Sequence, residues 1–398
     1  MIGLAFAASL LQAGVKIEAS GEIPADALDP LGDTVGGIGS GLIYDAASGV
    51  FLCQPDRGPG DGALAFRPRY VGVKMEPRGD QLHPKVVESV LYRDEQGRPM
   101  TGLTPDDPTA ATPRMKDGRT CLDPEAIALA PDGTLYVSDE YGPYLYQFRR
   151  DGQMIRRIVL PEKFRPRTAA GVTEFTGRQP LAAGRNVNQG GEGMALLPDG
   201  KTAVLIFQSG LVEDGGRQSP TTRMLFLDLE TEKPVAEYLY PFATTNLTTG
   251  EPLKPEQLSV NDLVALDAKR FLVLERDRIG RDGSIDHPIA AYKSVWLADV
   301  SRATDLLNSR TRELRPVEKQ FLFNLAALVK DPRDLAAKWE GIAVMPPSDE
   351  KAVTLMMAAD NDFLTPVIHD EGKTYPFPRT EEPVPTQFFQ IRADLPAP

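Results

Sequence analysis

The chain has 398 residues with a formal net charge of −12, and 41% of its residues are hydrophobic. This hydrophobic fraction is ordinary for a globular protein and argues against disorder. The acidic balance argues against nucleic acid or an anionic membrane as a partner, because both are bound through basic surfaces. No apolar run reaches the roughly 18 residues of a membrane span, so no span is predicted.

The first predicted element is the apolar run at residues 2–11, which has about the length of the hydrophobic region of a signal peptide. Small residues follow it, although no Lys or Arg precedes it. We interpret residues 1–13 as a signal-peptide remnant and residues 14–398 as a single domain. The expected location is therefore the periplasm or the extracellular space.

A pentad recurs five times along the rest of the chain, and four of its five first residues are acidic. Each pentad opens a strand-like run that a turn joins to a second apolar run; the turns with Asp-Gly pairs are typical of hairpins. The pentads begin at Ser40, Glu125, Glu192, Asp262 and Glu340, and the predicted hairpins cover residues 40–54, 125–139, 192–208, 262–276 and 340–360.

Further strand-like runs follow each hairpin, and four strands per repeat is typical of a β-propeller blade. We therefore predict an all-β propeller of five or six four-stranded antiparallel blades. The run at 14–20 is predicted to be an extra outer strand that closes the ring against the C-terminal blade. The repeats are longer than the roughly 40–45 residues of a compact blade, so loops are inserted. One insertion has a helical pattern, which predicts a short helix near 318–332.

The acids that open the pentads should lie close together, because the innermost strands of a propeller line its central channel. Like charges so close are unfavourable unless some are protonated or a cation lies between them. Calcium suits such a place, since it takes six to eight oxygen ligands in flexible geometry. Ser40 and Asn261 would add neutral oxygens. In the alternative interpretation, these acids only accept backbone hydrogen bonds or pair with channel arginines.

A second polar layer follows the far end of each hairpin. From it we expect Asp139, Glu140 or Asp360 to act as the catalytic base. Arg57 and Arg276 are expected to bind the anionic group of a substrate, because a guanidinium grips phosphate or carboxylate bidentately. Alternatively, each arginine forms a salt bridge with the acidic residue beside it.

Cysteine and histidine usage indicates little. Cys53 and Cys121 are the only cysteines, and either a disulfide or two buried apolar side chains would explain them. They form no Cys-x-x-Cys pair, so zinc is not expected. His287 follows Asp286, and this dyad is either a general base or an exposed loop pair.

The order and combination of these motifs resemble the bacterial phytase-like family, also described as having esterase-like activity of phytase. The matching segments are residues 39–45 with 55–59, 123–128 with 138–143, 192–195, 271–277 and 340–343. The resemblance runs from about residue 30 to the C-terminus. It implies a propeller, exported in most members, with phosphoesterase or esterase activity.

The Glu-Gly and Asn-Asp elements at the heads of the strands are also similar, more distantly, to those of gluconolactonase and paraoxonase-type propellers, which hold an axial calcium. Ser40 departs from this pattern, because an acid would complete the ring there. The similarity implies as calcium ligands Glu125, Glu192, Asn261, Asp262 and Glu340.

Together these observations predict an exported, calcium-dependent hydrolase that acts on a phosphoester or carboxylic ester at the mouth of the channel. Its partner is expected to be a small anionic or ester substrate, and the protein is expected to be a monomer. Two alternatives remain open: a non-catalytic binding or scaffold propeller with structural calcium, and a sugar-lactone hydrolase.

Overall fold

The computed structural model describes residues 14–286, 288–311, 313–377 and 380–396. The predicted signal-peptide remnant at residues 1–13 and the predicted base His287 lie outside these ranges. Within them, no helix is both long enough and apolar enough to cross a membrane.

Regular structure in the described residues is almost entirely strand. The strands are β1 (Val15–Ile23), β2 (Gly41–Asp45), β3 (Val50–Gln54), β4 (Arg69–Arg78), β5 (Gln81–Leu91), β6 (Pro124–Leu129), β7 (Leu135–Asp139), β8 (Tyr144–Phe148), β9 (Met154–Val159), β10 (Gly191–Leu196), β11 (Thr202–Phe207), β12 (Thr221–Asp228), β13 (Lys233–Pro241), β14 (Ser259–Ala265), β15 (Arg270–Arg276), β16 (Lys293–Asp299), β17 (Glu318–Asn324), β18 (Lys338–Met345), β19 (Ala352–Asp360), β20 (Val367–Asp370), β21 (Lys373–Pro376) and β22 (Thr386–Asp394). The helical pieces are a short α1 (Pro59–Gly62) and the 3₁₀ turns Glu162–Phe164, Val212–Asp214, Gly216–Gln218, Pro255–Gln257, Leu325–Ala327 and Pro332–Asp334.

The sheets follow the chain order. Strands β6 to β9, β10 to β13 and β14 to β17 each form a four-stranded antiparallel sheet. An eight-stranded sheet has the order β18-β19-β22-β1-β5-β4-β3-β2. In it, β1 pairs antiparallel with β22 along nearly its whole length, which confirms the predicted outer strand that joins the N-terminal segment to the C-terminal one.

The first strand of each hairpin lies at the inner edge of its sheet. Strands β2, β6, β10, β14 and β18 contact one another in that order, and β18 contacts β2. These contacts close a ring around a central axis. The predicted all-β, propeller-like class is therefore confirmed.

Apolar clusters between neighbouring sheets hold the ring together. Leu145 and Leu205 belong to one such cluster, and Val204 and Val273 belong to another. Because the central strands are covered on both faces, β11 and β15 read as nearly continuous apolar runs, as buried strands do.

The predicted short helix near 318–332 is wrong over most of its length. Residues Glu318–Asn324 form β17, which pairs antiparallel with β16 along the outer side of its sheet. Only the 3₁₀ turn at Leu325–Ala327 follows, and the Asn324 side chain caps it by accepting the N–H of Ala326. A short apolar run fits both the helical and the strand periodicity. Here, pairing with β16 at the edge of the sheet selects the strand.

Four of the inner strands are irregular at the same level. The register with the second strand shifts between Pro124 and Ile127, Gly191 and Gly193, Val260 and Asp262, and Trp339 and Gly341. A bulge of this kind re-aims the side chain of the extra residue. The residues so displaced are Glu125 with Ala126, Glu192, Asn261 and Glu340.

Replacing Gly193 with Ala will destabilise the ring by about 1–3 kcal/mol through overpacking. A Cβ at Gly193 would lie 2.7 Å from the Cα of Asp262, on the backbone of the neighbouring inner strand. Gly191→Ala, in the same strand, is the matched control, because its Cβ would meet ordinary contacts at 3.6 and 3.8 Å. Urea unfolding measures both variants, and equal free energies of unfolding would contradict the close approach.

Candidate active site in the central channel

The bulges place polar residues from four inner strands at the same level, near one end of the channel. In β14 the displaced residue is Asn261, whereas the repeated sequence pattern aligns Asp262 with Glu192 and Glu340. The Asp262 carboxylate accepts the N–H of Leu263 at 2.8 Å and that of Ile342 at 2.9 Å. It therefore ties β14 to β18, and it does not line the cavity described next.

A cavity of about 330 Å³ opens at this end of the ring. It brings together seven of the ten predicted site residues and leaves out Asp139, Asn261 and Asp262. The lining residues are Asp56, Arg57, Asp61, Glu125, Glu140, Asn188, Glu192, Gln208, Arg276, Arg278, Arg281, Asp282, Ala337, Lys338, Glu340, Asp360, Asn361, Asp362, Leu364 and Val384.

Acidic side chains outnumber basic ones in this lining by nine to five. Burial raises the pKa of Glu125 well above its ordinary value, and the neighbouring charges of Glu192 and Glu140 raise it further. Burial likewise raises the pKa of Glu192, with Glu140 and Glu340 adding to the effect. The basic side chains of the lining are therefore too few to neutralise all of its carboxylates.

Arg57 lines this cavity and is held there by several acceptors. Its guanidinium contacts the carboxylate of Asp123 and the side-chain oxygen of Asn188, and it lies 3.5 Å from Glu140. Its Nε has no acceptor among the described residues. Burial raises the pKa of Asp123 to about 6 against the opposing charge of Arg57. Arg57 is thus paired with Asp123 from a distant segment, not with Asp56 beside it in sequence.

Arg276 is also paired, with a residue of the neighbouring sheet. Its guanidinium contacts Glu340, whose Oε1 also accepts a hydrogen bond from the Asn261 amide at 3.2 Å. The neighbouring Glu275 is engaged elsewhere, because it accepts the hydroxyl of Tyr240 at 2.7 Å. Asn261 is therefore placed to orient Glu340.

Two groups of three carboxylates lie close enough to share a cation, with oxygens within 4.8 Å of one another. One group is Asp123, Glu125 and Glu140, and the other is Asp56, Asp360 and Asp362. Of the predicted calcium ligands, only Glu125 belongs to either group among the described residues.

Lys338 faces the second group. Its Nζ lies 2.7 Å from Asp362 and 3.8 Å from Asp360. Burial raises the pKa of Asp56 to about 7 and raises that of Asp360 well above its ordinary value, although Lys338 opposes both shifts. The Oδ2 atom of Asp360 is buried without a hydrogen-bond partner in the described chain.

Sequence reasoning missed Lys338, although a signal was present. Lys338 is a charged residue that opens the same inner strand, two residues before the repeated acid Glu340. Neither Asp56 nor Asp362 was predicted from the sequence as a site residue, although both follow the ends of predicted hairpins.

Asp139, one of the predicted bases, has a different environment. Its carboxylate accepts the backbone N–H groups of Asp123, Tyr141 and Gly142 at 3.1–3.2 Å. It therefore fixes the turn that follows β7.

Cys53 and Cys121 are both free and buried, so the structure favours two buried apolar side chains over a disulfide.

The ring of sheets and the charged cavity at one end of it define a propeller-like protein with a polar site in its central channel. The chain belongs to the phytase-like family, described as esterase-like activity of phytase, whose profile matches residues 33–363. A relative described as an uncharacterized secreted protein of Arthroderma benhamiae is 28% identical, and the alignment covers 87% of this chain and 86% of the relative.

Two solved structures have a weaker, structural similarity. Hydrazine synthase of Kuenenia stuttgartiensis is 14% identical with a TM-score of 0.35, over 82% of this chain and 78% of that one. The PQQ-bound aldose sugar dehydrogenase of Streptomyces coelicolor is 11% identical with a TM-score of 0.35, over 95% of this chain and 98% of that one.

Proposed function

We propose that this protein is an exported, calcium-dependent hydrolase that cleaves a phosphoester or a carboxylic ester in the central cavity. The observation that carries the proposal is the excess of buried carboxylates in the lining, several of which have raised pKa values. Membership of the phytase-like family supports ester cleavage, and the relative described as secreted supports export. The closed ring of inner strands supports a single five-bladed domain over residues 14–398, which we propose acts as a monomer.

The donor set fits calcium. The acidic side chains supply oxygen ligands, which calcium prefers, and no Cys or His belongs to the cavity lining among the described residues. Glu125 and Glu140, whose oxygens lie within 4.8 Å of each other, would hold the ion, with Glu192 as a further carboxylate near them and Glu340 oriented by Asn261. Asp262 is left out of this ligand set, because backbone N–H groups already occupy its carboxylate. Bound calcium would polarise the ester oxygen and lower the pKa of water.

The protein's own residues divide the remaining work. Asp360 is proposed to take the proton of the attacking water, since it lines the cavity and its Oδ2 accepts no hydrogen bond from the described residues, with Lys338 Nζ 3.8 Å away. The predicted anion-binding residues Arg57 and Arg276 are both paired with carboxylates. Arg278 also lines the cavity and forms no ion pair within the described chain, so we add it as the cation most available to an anionic substrate group.

Removing calcium is expected to lower the melting temperature, because the uncompensated carboxylates then repel one another. Thermal unfolding of chelator-treated protein, before and after calcium is restored, measures this effect, with magnesium as the control ion. Nitrophenyl phosphate, nitrophenyl acetate and a sugar lactone, each tested with and without calcium, identify the bond that is cleaved. A calcium-dependent melting temperature without turnover of any ester would instead support a structural ion in a binding propeller.

A further inference from the structure

A second chamber of about 330 Å³ adjoins the central cavity. It shares part of its wall with the central cavity, including the contact between Arg57 and Asn188. This side chamber is lined by Arg57, Asp61, Thr104, Asp123, Glu140, Tyr141, Phe175, Thr176, Gly177, Arg185, Val187 and Asn188.

The shared wall is held firmly by side-chain hydrogen bonds. Asn186 donates to the hydroxyl of Ser209 at 3.1 Å and to the carbonyl of Gly210 at 2.9 Å. The N–H of Gly190 donates to Glu140 at 2.7 Å. The chamber is therefore bounded by a fixed segment at residues 186–190.

Two buried donors at this chamber lack acceptors. Arg57 and Arg185 are 6% and 5% exposed, and the Nε of each has no hydrogen-bond partner in the described chain. The terminal nitrogens of Arg185 are engaged, since they donate to the carbonyl oxygens of Asn186 and Tyr141. A buried donor left unpaired is costly, so a ligand that supplies an oxygen would stabilise the chamber.

The chamber also offers acceptors and aromatic rings. Its three acidic and two basic residues give a formal charge of −1, which disfavours an anionic ligand. Hydroxyl groups both donate and accept, so they can serve the arginines and the carboxylates at once. Phe175 adds aromatic surface for the apolar face of a ring, whereas the Arg57 guanidinium already lies over the Tyr141 ring, 5.7 Å from its centroid.

We propose that the side chamber binds a neutral sugar ring. The volume lies near the lower end of the roughly 300–1,000 Å³ range of small-molecule pockets, which fits one ring and not an oligosaccharide. This binding does not depend on ester hydrolysis, so it is measurable even if no ester is turned over.

The test titrates the full chain with the methyl glycosides of glucose, galactose and mannose, and with inorganic phosphate and acetate, by calorimetry and ligand-observed NMR. At least one methyl glycoside is expected to bind at millimolar concentration, and neither anion is expected to bind in the chamber. Val187→Trp should weaken the glycoside by about tenfold or more, because it places a large side chain in the lining.

Val172→Trp is the matched control, since Val172 is 57% exposed and does not line the chamber. It should bind the glycoside as the wild type does. The proposal is overturned if none of the three glycosides binds, if both tryptophan variants bind equally, or if phosphate or acetate binds and Val187→Trp blocks it. Phe175→Leu, which keeps an apolar residue but removes the aromatic ring, should also weaken glycoside binding, and unchanged affinity would contradict stacking of the sugar on Phe175.

Discussion

Asp360→Asn will reduce ester hydrolysis by about 10²–10⁴-fold, the usual contribution of a general base. The substitution is nearly isosteric and keeps an oxygen that can accept the N–H of Asp362, a bond of 2.6 Å in the structure. It removes the carboxylate whose Oδ2 is buried without a hydrogen-bond partner in the described chain. The turnover number should therefore fall while the melting temperature changes little.

Asp349→Asn is the control for this loss. Asp349 accepts backbone N–H groups in the turn before β19 and does not line the cavity. Its turnover number should match that of the wild type. A fully active Asp360→Asn variant would assign the base to another residue, and an unfolded one would show that the carboxylate is structural.

Arg69→Met will lower the free energy of unfolding by about 3–5 kcal/mol, the cost of stranding buried charges. Arg69 is fully buried, and its guanidinium lies 2.9 Å from Asp29, 2.7 Å from Asp33 and 3.3 Å from Asp370. These contacts connect β4 to the segment before β2 and to the β20–β21 hairpin. Without the guanidinium, Arg67 alone faces Asp33 and Asp370.

Arg78→Met is the matched control, because the Arg78 side chain is 70% exposed and lies 3.8 Å from Glu76. A surface pair of this kind contributes about 0–1 kcal/mol. Urea unfolding of both variants gives the comparison. If Arg69→Met cost no more than Arg78→Met, the buried ion network would not be what fastens these segments.

The fold was predictable because its signals are local and repeated. Each hairpin combines two apolar runs and a turn, and the turn at Asp132-Gly133 has the positive φ of 84° that only glycine adopts readily. The outer strand β1 was predictable from its position before the first repeat. The helix prediction near 318–332 failed because pairing with β16 is a long-range interaction that periodicity does not contain.

The site was predictable as a region but not as an atomic arrangement. The repeated acid located Glu125, Glu192 and Glu340 at the cavity. Aligning the pentads does not reveal the bulge in β14. This bulge places Asn261 at the level of those acids and turns Asp262 towards backbone N–H groups. The partners of Arg57 and Arg276 come from distant segments, so the sequence neighbours suggested the wrong salt bridges as alternatives.

We propose that calcium held by the channel carboxylates supports ester cleavage, and the Glu192→Gln variant is the sharpest check of this role. The measurement is the rate of hydrolysis of the best nitrophenyl substrate as free calcium is raised, for the wild type and for this variant. We expect a wild-type rate that rises to a plateau with calcium and a variant that needs far more calcium or stays inactive. A variant with the same rate and the same calcium dependence as the wild type would contradict the claim.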